Sequence, residues 1–154
     1  MSLRSACDAA LANPAFAPSK DGKTTHCNAA ARCISLAMGC QEFDNLSLMA
    51  EDMGLIMARN ESGCWAKATG EEATAHALID GLAFAFMFAE QLKEVHAHIA
   101  AVYPETMQMS GSLGREVPVV ANIGKTVGVI RSSQAFPVAA GEASYYIWKP
   151  KEAA

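Results

Sequence analysis

The chain has little charge, no long apolar run and no recognisable cysteine framework. Charged residues make up 18% of its 154 residues, the net charge is -4, and no Lys/Arg cluster exceeds two close residues. Neither a nucleic acid nor an anionic membrane surface is the expected partner, because both need a concentrated positive field. No segment reaches the roughly 18 apolar residues that a membrane-spanning helix requires, so no membrane insertion is expected. The five cysteines, Cys7, Cys27, Cys33, Cys40 and Cys64, are odd in number, widely spaced and without a CxxC pair. That excludes a zinc-knuckle pattern and gives no disulfide framework. There is no internal repeat, low-complexity tract or linker, so residues 1–154 are expected to form one domain. Apolar residues at 51% suffice for a core without metal or disulfides. The N-terminal stretch "MSLRSACDAALANPAF" has one Arg and an Ala-rich run broken by Asp8, Asn13 and Pro14. It reads as an amphipathic helix rather than a signal peptide.

The first half reads as helices. One is expected over Leu3 to Ala12, ending before Pro14, and the loop "NPAFAPSKDGKTT" follows, with Thr24 and Thr25 as capping candidates. From Cys27 to Met38 the apolar period is helical, with Gly39 as C-cap. "NLSLMAEDMGLIMAR" predicts a helix capped by Asn45, with Leu46, Met49, Met53 and Ile56/Met57 as its core stripe. "NESGCWAKATG" reads as a loop, and "EEATAHALIDG" as a helix ending at Gly81.

Beyond Gly81 the period changes. "LAFAFMF", "VHAHIAAVYP", "VPVVANIG", "VGVIR" and "SYYIWKP" predict strands, with "AEQLKE" as a turn. Helices followed by a meander of about five strands indicate an α+β domain, with the helices packed on an antiparallel sheet.

Cys27 opens its helix. Unsatisfied amides and about half a positive charge collect at a helix N-terminus, which lowers a thiol's pKa and suits an oxyanion. Cys33 and Cys40 lie within or beyond that helix, and Cys7 and Cys64 have no such placement. A base is then needed. His96 and His98 lie two residues apart on an expected strand and so share a face. His26 adjoins Cys27, but neighbouring side chains diverge, and His76 falls on a helix. Asn122 ends an apolar strand before a Gly turn, where it either orients an imidazole or caps the turn.

A cysteine at a helix start, "AHIAAVYP" on a strand and "VPVVANIG" after it resemble the papain-like cell-wall peptidases. Within them the chain is closest to NlpC-type peptidases and CHAP amidases, including compact phage endolysins and amidase effectors of type VI secretion. The resemblance spans about Thr24 to Lys149 and keeps the order Cys, His, Asn. It implies Cys27 as nucleophile, His98 as general base and acid, and Asn122 as the orienting residue. His98 is preferred to His96 because the family's base directly precedes the small apolar run. Ala97 stands where the family often has Gly, and the upstream Gln or Tyr that helps bind the oxyanion has no counterpart. The Cys27 amide is then the one donor to name. The resemblance further implies an amide in peptidoglycan stem peptides as substrate, no cofactor, and action in the periplasm or cell wall. Without a visible signal, synthesis in the cytoplasm and release by lysis or dedicated secretion are expected. A secretion machine or an immunity protein is the implied partner.

Two other readings stay open. Cys27, His96 and His98 offer three ligands for a metal, and the fold also serves a non-enzymatic binding or structural protein with Cys27 as an inert thiol. The segments "SGSLG" and "RSSQAFP" are candidates to line the substrate cleft, and Trp65 either stacks on substrate or pins its loop.

Overall fold

The computed structural model describes residues 1–151. It begins with helix α1 (Leu3–Ala12), whose N-cap Ser2 accepts a hydrogen bond from the Ser5 amide. Leu3, Ala6, Cys7 and Ala10 form its buried stripe, the spacing of one helical face. Helix α2 (Cys27–Ala37) buries Cys27, Ala30, Ala31, Ile34 and Ser35. Gly39 stops it at φ +87, a left-handed conformation that glycine adopts without a Cβ clash. Neither Thr24 nor Thr25 caps α2; the N-cap position is His26, whose side chain makes no capping bond.

Helix α3 (Ala50–Arg59) starts later than the pattern predicts. Asn45 closes a turn by accepting from the Ser47 amide, while the Asp52 carboxylate accepts from Met49 N at 2.8 Å and fixes the true start. Met53 and Met57 are buried as expected, but Leu46 is 85% exposed and Met49 is 47% exposed. Those two precede the helix, so its period does not aim them inward. Strand β1 (Trp65–Ala68) occupies the stretch read as a loop. Helix α4 (Gly70–Leu78) follows, opened by a reciprocal Thr69–Glu72 capping box.

The remaining elements are β2 (Ala83–Met87), the short α5 (Ala89–Leu92) where a turn was expected, β3 (His98–Val102), β4 (Gln108–Ser110), β5 (Arg115–Val117), β6 (Val119–Ile123), β7 (Val127–Arg131), α6 (Ser132–Ala135) and β8 (Ser144–Trp148). The five expected strands are β2, β3, β6, β7 and β8. They do not form a simple meander. The sheet has six strands in the order β1-β8-β2-β3-β6-β7, every neighbouring pair antiparallel. The last strand returns to lie between the first two, so β2 is buried along its whole length. The hairpin β4–β5 stands apart as a second, two-stranded sheet.

Each sheet face has its own core. Phe84, Phe86, Ile99, Ala101, Ala121 and Ile123 belong to the large cluster that includes the buried faces of α1 to α4. The alternate residues Ala85, Met87, Ala100 and Val120 pack with Phe136 in a smaller cluster beside α6. Trp65 is 3% exposed and stacks on Phe43 with ring centroids 5.6 Å apart. It is a packing residue and is not presented to a substrate.

Candidate active site

The histidine pair does not share a strand face. β3 begins at His98, and His96 lies in the exposed bend before it. His98 pairs across the sheet with Met87 and so shares the face of the smaller cluster. Its ring sits 5.0 Å from that of Phe136. Asn122 is on the same face by alternation with Val120, and it is 4% exposed.

These two residues meet. His98 Nε2 and Asn122 Oδ1 are 2.7 Å apart, and Asn122 Nδ2 donates to the Thr126 carbonyl at 2.7 Å. A carbonyl only accepts, so the amide is held with Oδ1 towards the imidazole. His98 Nε2 therefore carries the proton and Nδ1 presents a lone pair. Gly124 leaves space for this ring, since a Cβ there would lie 3.2 Å from His98 Cε1.

Cys27 approaches the same end of β3 from the helix face. Its thiol lies against the Ile99 amide, one residue beyond His98, and against the amides of Asn28 and Cys27 itself. β3 and β6 pair only at Ala101↔Ala121 and Val102↔Val120, so the ladder is unzipped beside Ile99. Among the described residues no hydrogen bond joins Cys27 to His98. The structure thus brings His98 and Asn122 into contact and sets Cys27 beside their strand without a hydrogen bond to the imidazole among the described residues. His26 lies near Phe16 instead, with ring centroids 6.5 Å apart, and His76 Nε2 bonds the Trp148 carbonyl.

Burial sets the protonation states. It pushes the Cys27 thiol above its ordinary value, with the Ile99, Asn28 and Cys27 amides opposing. The lowered thiol pKa expected from the helix terminus is therefore corrected: loss of water outweighs the amides at this depth. Burial likewise pushes His98 below its ordinary value, with the Asn122 hydrogen bond opposing. At neutral pH the resting pair is a thiol and a neutral imidazole. Cys27 alkylation by iodoacetamide should accordingly be slow at pH 7 and keep rising past pH 9.0, the ordinary thiol value. The exposed Cys33 should react first, as peptide mapping by mass spectrometry would show.

A cleft of about 520 Å³ reaches Cys27 between the loop from Lys23, the start of α3 and the bend carrying Val95 and His96. A larger cavity of about 830 Å³ lies elsewhere, bounded by Leu113, Ser132, Ser133 and Phe136 among others. Leu113 of "SGSLG" and Ser132, Ser133 and Phe136 of "RSSQAFP" line this second cavity and not the Cys27 cleft; Phe136 also meets the His98 ring. The metal ligand set is not assembled: among the described residues no three His, Cys, Asp or Glu side chains converge as a metal site needs. Sequence reasoning missed the Asn28 amide as a second donor beside the sulfur; the uncapped start of α2 is the signal that points to it. Comparison with models of known families and with curated proteins gave no match.

Proposed function

We propose that this chain is a cysteine-dependent amide hydrolase acting on peptidoglycan stem peptides. The observation that carries the reading is the 2.7 Å His98–Asn122 bond at the strand end where Cys27 opens α2. An oriented imidazole with a free Nδ1 is the group a thiol nucleophile needs, and such contacts tighten when substrate binds. His98 and Cys27 face opposite sides of β3, so the reading requires substrate binding to bring thiol and imidazole together through the unpaired interval between β3 and β6. Cys27 loses its proton to His98 Nδ1 and attacks the amide carbonyl, forming a carbon–sulfur bond. The Cys27 and Asn28 amides receive the oxyanion. The carbon–nitrogen bond breaks as His98 returns the proton to the leaving amine. Water, deprotonated by His98, then hydrolyses the thioester. The substrate class comes from the resemblance of "HCN" and "AHIAAVYP" to the cell-wall peptidases. On the same basis the protein acts in the periplasm or wall, reached by lysis or by a secretion machine, and an immunity protein is its inhibitory partner.

The test is digestion of purified peptidoglycan by the native protein and by Cys27→Ala, with fragments identified by mass. Defined fragments from the native protein alone support the reading, and the Cys27→Ala rate should fall by about 10⁴-fold or more. One observation favours a second reading, a non-enzymatic binding protein: Cys27 is 8% exposed and, among the described residues, has no hydrogen bond to an imidazole. A folded native protein that releases nothing means either that the substrate is a different amide or that the fold is used without its chemistry.

A further inference from the structure

The cavity of about 830 Å³ opens on the sheet face of the smaller cluster, away from Cys27. Its volume lies within the usual range of small-molecule sites. The walls are tied from outside. One wall is the β4–β5 hairpin, fixed to β7 by Arg131 Nη1, which donates to the Met109 carbonyl at 3.0 Å. Another is the segment 138–144, where Gln91 Nε2 donates to the carbonyls of Ala140 at 2.9 Å and Glu142 at 3.3 Å. An ion pair between Arg115 and Glu142 joins these two walls. A hydroxyl pair lies at the base. Ser132 is 4% exposed and accepts a hydrogen bond from the Tyr145 hydroxyl at 2.9 Å. Burial pushes the Tyr145 phenol above its ordinary value, so it keeps its proton at neutral pH. Ser132 carries a proton of its own, and among the described residues it has no acceptor for it.

The pair therefore offers one free donor, on Ser132, beside lone pairs on the Tyr145 oxygen. A ligand hydroxyl both donates and accepts, and so completes it; a carboxylate accepts only and an ammonium donates only. The formal charges around the cavity select neither sign. Lys67 and Arg115 stand against Glu71, Glu116 and Glu142, and Arg115 and Glu142 neutralise each other. Thr69 and Ser133 add further hydroxyls, while Leu113, Phe136 and Val138 add apolar surface. We propose that this cavity binds a neutral saccharide of about two rings, with Ser132 and Tyr145 on its hydroxyls and the apolar wall on its C–H faces. The site is independent of the chemistry at Cys27. Joined to the hydrolase reading, it holds a glycan strand while the peptide is cut on the other side of the sheet.

Calorimetry on the full native chain tests this with three disaccharides: chitobiose, cellobiose and the anionic cellobiouronic acid. At least one neutral disaccharide should bind with a Kd of about 1 mM or tighter, and the anionic one no more tightly. Ser132→Ala should weaken that binding by about threefold to tenfold, the share of one hydrogen bond. Two variants fill the cavity from separate segments, Ser133→Trp on α6 and Val138→Trp on the exposed loop. Each should weaken binding by about tenfold or more. No binding of either neutral disaccharide at about 10 mM, or tighter binding of the anionic one, would overturn the site. So would binding that Ser132→Ala or both tryptophan variants leave unchanged. Failure of the hydrolase reading looks different: the native protein then binds the disaccharide but releases no fragments from peptidoglycan. Cleavage of peptidoglycan without disaccharide binding sinks the saccharide site alone.

Discussion

His98→Gln should leave the protein folded and slow peptidoglycan hydrolysis by about 10²–10⁴-fold, the usual contribution of a positioned acid–base group. Glutamine retains an N–H that can serve Asn122 Oδ1, so the orienting contact survives while the proton acceptor is lost. An alanine would instead leave Oδ1 unpaired beside Phe136 and mix a folding defect into the result. The companion His96→Gln should change the rate by about twofold or less: although His96 lines the cleft to Cys27, its side chain is exposed in a bend with no hydrogen bond among the described residues to hold it towards a reacting atom. Native-like activity in His98→Gln would place the base elsewhere. The pH profile gives an independent readout. His98 must be neutral to accept a proton, and burial holds its pKa below the ordinary 6.5. Activity should therefore persist below pH 6.5 and fall only as pH drops through the depressed value. The Asn122 hydrogen bond raises that value, so Asn122→Ala should move the acid limb to still lower pH. A slower Asn122→Ala enzyme with an unmoved limb would reduce Asn122 to a packing role.

Gly54→Ala should destabilise the fold by about 2–3 kcal/mol, at the upper end of overpacking effects. Helix propensity alone points the other way, favouring Ala over Gly by about 1 kcal/mol in a helix interior. The tertiary contact decides. A Cβ on Gly54 would stand 2.0–2.6 Å from three atoms of the Phe86 ring, which is 1% exposed. That ring cannot swing away freely, since Phe88 meets it edge-on with centroids 4.7 Å apart. α3 thus lies on the sheet at glycine distance, and an added methyl must push the helix or the ring. Gly128→Ala is the control. A Cβ there meets nothing within 4 Å, so the change should be within about 1 kcal/mol and favourable through the unfolded chain. Urea denaturation midpoints for the two variants would settle the comparison. A Gly54→Ala variant as stable as the parent would show that the helix shifts without cost.

Helices α1 and α2 are legible because a helical period is a local property, written in residues three and four apart, although Ala37, expected on the α2 core face with Ala30 and Ile34, is exposed. The same holds for β2, β3 and β6, whose alternation or apolar density marks them as buried strands. The start of α3 was not legible. Asn45 and the Leu46/Met49 pair imitate a cap and a stripe, but Asp52 competes for the Met49 amide and wins. β1 was missed because "WAKA" carries no strand pattern of its own. It becomes a strand by pairing with Ser144–Trp148, some eighty residues away in the chain.

By itself the sequence determined the class of the fold, the order Cys27, His98, Asn122 along the chain, and the placing of Cys27 at a helix start. Each of these depends on composition, on short-range periodicity or on a turn signal. Tertiary structure decided the rest. It joined His98 to Asn122 across neighbouring strands, put His96 outside the strand, and inserted β8 between β1 and β2. It also buried Cys27 deeply enough for desolvation to outweigh the helix amides. Long-range pairing and the loss of water depend on which distant segments meet, and no local pattern carries that information.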